Sequence, residues 1–115
     1  MSWGKKGVGW VLQALTGVLL VLFVTAHIIR VHLEGSHKGL PTYEEVISAF
    51  KNPLIAAAEL ALAAAVTYHA MYGLYTVTVE AELLRERRAR ALFTALGAAI
   101  FTYTLAVTAY LVLAP

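Results

Sequence analysis

Two of the four histidines, His27 and His69, fall inside long apolar runs of this 115-residue chain. An imidazole surrounded by hydrocarbon is costly unless it has a partner. His69 lies within Tyr68-His69-Ala70-Met71-Tyr72-Gly73-Leu74-Tyr75. At helical spacing, Ala58 and Ala65 lie behind it on the same face and Gly73 lies ahead. Leu62 is the one bulky member of that row. Mostly small side chains around a histidine leave space for something large and flat, and axial ligation of a haem iron is the chemistry that suits it. The plainer alternative is a histidine hydrogen-bonded to a neighbouring helix.

Other groups in the runs can do chemistry too. Arg30, near the end of the first run, has the charge to pair with a haem propionate. As a helix-end arginine it would equally snorkel to the surface. Glu59 is an ionisable group about 8 Å into the second run, suited to protonating a quinone or to lying near a haem. Pairing with a neighbouring chain is its structural alternative. Gln13 and Thr16 can bond a quinone carbonyl, or simply bond between helices. His32 and His37 read as solvated loop residues.

These residues need helices to position them. Hydrophobic residues make up 60% of the chain, more than a soluble domain of this size can hide. Three apolar runs, about residues 8–33, 54–79 and 91–113, each exceed the ~20 residues of a membrane-spanning helix. The expected fold is an all-α membrane protein of three transmembrane helices, up-down-up, forming one transmembrane domain over residues 1–115. Thr42-Tyr43-Glu44-Glu45-Val46-Ile47 reads as a capped start of a short amphipathic helix, about residues 42–50, at the membrane surface. Asn52-Pro53 opens the second long helix. That helix is expected to continue past Val79 as a polar segment through Glu80 to Arg90, whose residues are good helix formers.

Charge and composition exclude several classes. A formal charge of +2 is too small to suggest nucleic acid, and the chain has no cysteine. That removes disulfides, iron–sulfur clusters and covalently attached haem. Three spans leave no room for a separate catalytic domain. The first run is too long for a signal-peptide core and reads as a retained span. Lys5, Lys6, Arg85, Arg87, Arg88 and Arg90 fall on one side, and Arg30, Lys38 and Lys51 on the other. The richer side is read as cytoplasmic, with the N-terminus inside.

Depth separates the two histidines. His27 lies about 8 Å below the outer surface and His69 roughly 22 Å below it, so they differ by about 15 Å. They cannot easily share one iron. Thr16, eleven residues before His27, faces the interior at about the depth of His69. Each helix thus offers a histidine at one level and a small side chain at the other, the arrangement two stacked haems would need. The missing axial ligands would come from another chain, either a second anchor or a symmetric copy.

At these residues the chain resembles the cytochrome b membrane anchors of succinate dehydrogenases and fumarate reductases. Tyr68 to Tyr75 looks like the second-helix haem motif of that family. Gln13-Ala14-Leu15-Thr16-Gly17, followed by His27, looks like its first-helix motif. The resemblance covers roughly residues 10–80. It implies that His69 ligates an inner haem b and, in two-haem members, that His27 ligates an outer one, with Gly73, Thr16 and Arg30 around the haem. Gln13 and Glu59 would lie near quinone or haem. It also implies a second anchor chain, a flavoprotein subunit that oxidises succinate and an iron–sulfur subunit. In the cell (cytoplasmic) membrane, electrons would pass from an iron–sulfur cluster to the inner haem and then to the outer haem or to quinone or menaquinone, and this chain alone would not be catalytic. Many one-haem anchors carry His-Arg and an upstream serine where this chain has Gln13, Ala14 and Trp10. An inner quinone site of that kind therefore depends on the partner's polar groups.

Overall fold

The computed structural model describes residues 3–34 and 39–115; of residues 3–6 and 34 only the backbone is described. His37 and Lys38, placed in the outer loop from sequence, lie outside the described residues. The chain is all-helical. α1 runs Trp3–Ile28 and continues into a π-helical turn, Ile29–Glu34. α2 is Tyr43–Phe50, α3 Pro53–Glu80 and α4 Glu86–Leu113. Three of these, including the stretch Gly7–Leu33, are long and apolar enough to cross a membrane, so this is a multi-pass membrane protein. At 1.5 Å per residue, the 28-residue α3 and α4 are each about 42 Å long, and the molecule measures 49 Å along its longest axis.

α3 is the middle helix. It packs against α1 on one side and α4 on the other, while α1 and α4 do not pack together among the described residues. The result is an open arrangement in which α3 is shared by its two long neighbours. Such an arrangement encloses almost nothing. Ile47, Ala65, Ala89 and Ala114 are the buried apolar residues among those described. Large apolar side chains such as Leu22, Leu54 and Leu113 stand outward. In hydrocarbon that exposure carries no penalty, because the helices satisfy their own backbone groups and the apolar faces meet lipid or a further helix. Small residues let the helices approach one another: at Gly97, an added Cβ would come 3.2 Å from Met71 Cγ.

The expected polar extension of α3 does not form. The helix stops at Glu80, and α4 starts at Glu86. Glu82 takes a left-handed φ of 58°. The Glu82 and Leu83 amides donate back to the Val79 and Thr78 carbonyls, both at 3.0 Å. This closes the helix in the manner usually reserved for glycine. The reason is geometric: α4 must return antiparallel along α3, and helix propensity through Arg90 is overridden by that packing. The arginine run therefore belongs to the start of α4, from its N-cap Arg85 to Arg90 in the second turn.

α2 has its capping box, with the Thr42 and Glu45 side chains each accepting from the other's backbone amide. It lies against α3 and α4 at the end where α4 finishes. The Tyr43 and Tyr110 hydroxyls are 3.0 Å apart. Lys51 donates to the carbonyls of Val112, at 2.8 Å, and Ala114. These are acceptors that the end of α4 leaves without helical partners.

Candidate functional site

α1 and α3 run antiparallel, and every intramembrane polar group singled out from sequence meets another across their seam. At one level, Thr16 Oγ1 lies 3.2 Å from His69 Nδ1. The Gln13 side-chain amide donates to the His69 carbonyl at 3.1 Å. At the other, His27 Nδ1 lies 2.9 Å from Glu59 Oε1, and Arg30 donates to that same oxygen at 2.5 Å. Glu59 and His69 are ten residues apart on α3 and Thr16 and His27 eleven apart on α1, so the two levels are separated by about 15 Å. Each histidine ring meets a polar oxygen from the opposite helix.

The small residues are filled rather than open. A Cβ at Gly17 would meet His69 Cε1 at 3.4 Å, and one at Gly73 would meet Gln13 Nε2 at 3.3 Å. They let the ring and the amide fit between the helix backbones. At this level α1 and α3 therefore pack closely. Ala58 and Leu62 line a small groove of about 230 Å³, together with Phe23, His27, Arg30 and Glu59.

Arg30 and Glu59 are thus paired within this chain, without any partner supplying the opposite charge. Their side chains are 36% and 18% exposed. The π-helical turn follows immediately after α1, and π turns shift side chains relative to a regular helix. His32, on that turn, is exposed and sits edge-on to His27 with ring centroids 6.2 Å apart. Tyr68 donates to the Gly9 carbonyl at 3.1 Å and stacks on Tyr72 at 5.7 Å. These tyrosines pin the start of α1 to the far part of α3.

Two features escaped the sequence reading. One is a larger apolar groove of about 590 Å³ between α3 and α4, lined by residues including Thr67, Met71, Tyr75, Arg90, Phe93 and Phe101. Its signal was the small pair Gly97-Ala98 facing Ala64. The other is the Gln13 side-chain oxygen, a buried acceptor that has no partner among the described residues.

No cluster of three or more metal-ligating side chains occurs among the described residues. Each histidine stands as a single candidate ligand at its own level. One histidine at each level is a donor that would suit a haem iron. The hydrogen-bond pattern fits as well: the contacts to both rings are at Nδ1, which leaves Nε2 for a metal, the usual arrangement of a ligating histidine.

Comparison with known proteins gives the family of the chain. The chain is 35% identical over 71 residues to a succinate dehydrogenase hydrophobic membrane anchor subunit of Archaeoglobus fulgidus. The matched stretch is 62% of this chain and 59% of that relative, so the chain spans about three fifths of the curated relative it matches. No solved structure matches it. The family model described as the succinate dehydrogenase/fumarate reductase transmembrane subunit matches residues 1–107, and the chain belongs to that family.

Proposed function

We propose that this chain is a cytochrome b anchor of a succinate:quinone oxidoreductase. In this reading it holds the flavoprotein and iron–sulfur subunits at the cytoplasmic side of the cell membrane, and a second anchor chain completes the helical bundle. His69 would hold the iron of an inner haem b through Nε2. His27 would do the same for an outer haem, with Arg30 near its propionates. Gln13 and Glu59 would border quinone or haem. Bound haem would supply one-electron transfer between the iron–sulfur subunit and quinone or menaquinone. This chain's own residues would orient the ligands, exclude water and tune the potential by burial and hydrogen bonding. The observation that carries the reading is a histidine deep in α3 whose Nδ1 is engaged across the seam by Thr16. The surplus of Lys and Arg at the N-terminus and at the α3–α4 turn supports a cytoplasmic N-terminus.

One observation favours a second, one-haem form. His27 has Glu59 and Arg30 beside it, and an ion network of that kind can be an end in itself. A reduced-minus-oxidised spectrum of the purified complex, with haem counted per copy of this chain, separates the readings. Two haems, one lost in His27→Ala and the other in His69→Ala, is the expected result. One haem lost only in His69→Ala makes His27 structural. No haem in the unmodified complex leaves a bare anchor.

A further inference from the structure

A hydroxyl has one proton to give. Thr16 Oγ1 has two neighbours in hydrogen-bond range, the Gln13 carbonyl at 3.1 Å and His69 Nδ1 at 3.2 Å. The carbonyl can only accept, so a bond to it uses the Thr16 proton. A helical threonine habitually spends its proton on a carbonyl three or four residues back. Toward the imidazole, Thr16 is then left with a lone pair. The hydrogen in that contact must come from Nδ1, and a neutral ring protonated on Nδ1 carries its lone pair on Nε2.

The same stretch of α1 restrains the ring in two further ways. Gln13 donates to the His69 backbone carbonyl. Its amide cannot turn over without setting two carbonyl oxygens against each other. Gly17 brings the α1 backbone against the ring edge, where an added Cβ would sit 3.4 Å from Cε1 and 3.9 Å from Nδ1. A half-turn of the ring would replace Nδ1 with a carbon and lose the bond to Thr16. Glu59 repeats the device at His27, where a carboxylate, which can only accept, faces Nδ1 at 2.9 Å.

We propose that Gln13, Thr16 and Gly17 form a cradle that fixes His69 in the Nδ1-protonated tautomer, with Thr16 as the positioning residue that sets it. The use made of the freed Nε2 rests on the reading of His69 as a haem ligand. The tautomer itself does not, because it is a property of this chain's own contacts.

The test has two parts. The full-length, haem-free chain is labelled with ¹⁵N-histidine in lipid nanodiscs, and the His69 signal is assigned by its loss in His69→Gln. The expected result is a proton on Nδ1 in the unmodified chain, a shift toward the Nε2-protonated form in Thr16→Val, and return of the native pattern in Thr16→Ser. A proton on Nε2 in the unmodified chain overturns the inference, and this measurement needs no variant at position 16 to fold. An unchanged tautomer in Thr16→Val overturns it equally. The second part is a redox titration of the assembled complex. A hydrogen bond accepted from Nδ1–H makes the ligand more electron-rich and favours ferric iron. The midpoint potential of the His69-dependent haem should therefore rise in Thr16→Val and recover in Thr16→Ser. A potential unmoved by Thr16→Val counts against the cradle. A complex without haem would sink the cytochrome reading, while the nanodisc spectra would still decide the tautomer.

Discussion

Glu59 holds two partners, His27 and Arg30, on one carboxylate oxygen, and its side chain is mostly covered. Removing its charge leaves both donors with a weaker, neutral acceptor. Glu59→Gln is expected to destabilise the α1–α3 pair by roughly 1.5–3 kcal/mol, the range for hydrogen bonds to charged groups. Arg30 is more than a third exposed and can reach water, so Arg30→Gln should cost less, about 1 kcal/mol at most. Unfolding of the chain in detergent micelles would rank the two, and equal losses would argue against this assignment. The glycines make a second case at this scale. Gly73 stood out in the sequence as room for a cofactor, and Gly17 as part of the first-helix motif. The room is real, but the His69 ring and the Gln13 amide occupy it. Residue types and spacing revealed that something bulky fits there. They could not say that it was the chain's own side chains, because that depends on how closely α1 approaches α3. Gly17→Leu should pry the seam open and weaken it by about 1–3 kcal/mol, read in the same unfolding assay.

At the scale of elements, α2 and the two turns set how the long helices end. Lys51 reads in the sequence as an outer basic residue. In the fold it caps the C-terminal carbonyls of α4. The Tyr43 phenol beside it is raised above its ordinary value of 10.0, chiefly by its hydrogen bond with Tyr110, with burial and nearby charge adding to the shift. A raised value means that the folded form holds the phenol proton more tightly than the unfolded one does. The contribution is full below about pH 10 and is lost as pH rises through the folded value. Backbone hydrogen exchange, corrected for its intrinsic pH dependence, should show α2 loosening above pH 10. Tyr43→Phe should abolish that dependence, and Lys51→Met should loosen α2 at every pH. The break at Glu82 belongs here too. Good helix formers span Glu80 to Arg90, yet the chain turns back there, because only a reversal lays α4 along α3.

In the whole molecule α1 and α4 share α3 as their neighbour and do not pack on each other among the described residues. Many of its large apolar side chains stand exposed, so its free faces suit lipid and further helices. Its orientation is open to a direct test, since the chain has no cysteine of its own. Leu40→Cys and Glu82→Cys place single thiols in the loop before α2 and in the α3–α4 turn. In right-side-out vesicles, a membrane-impermeant thiol reagent should label position 40 and spare position 82 until the membrane is opened. The opposite pattern would reverse the topology inferred from the basic residues.

The sequence by itself determined the helical class, the three long apolar helices, the capped start of α2 and the two histidines as the residues worth following. All of these are written in local pattern: apolar run length, capping residues and helical spacing. It also placed Thr16 on the same side of α1 as His27 and near the level of His69, because rise per residue converts numbering into depth. Tertiary structure alone decided who meets whom. That Glu59 belongs to His27 and Arg30, that Thr16 faces Nδ1 of His69, and that Lys51 caps α4 are all contacts between residues 29 to 63 positions apart. Such pairings depend on the rotation and separation of packed helices, which local pattern constrains only to a face.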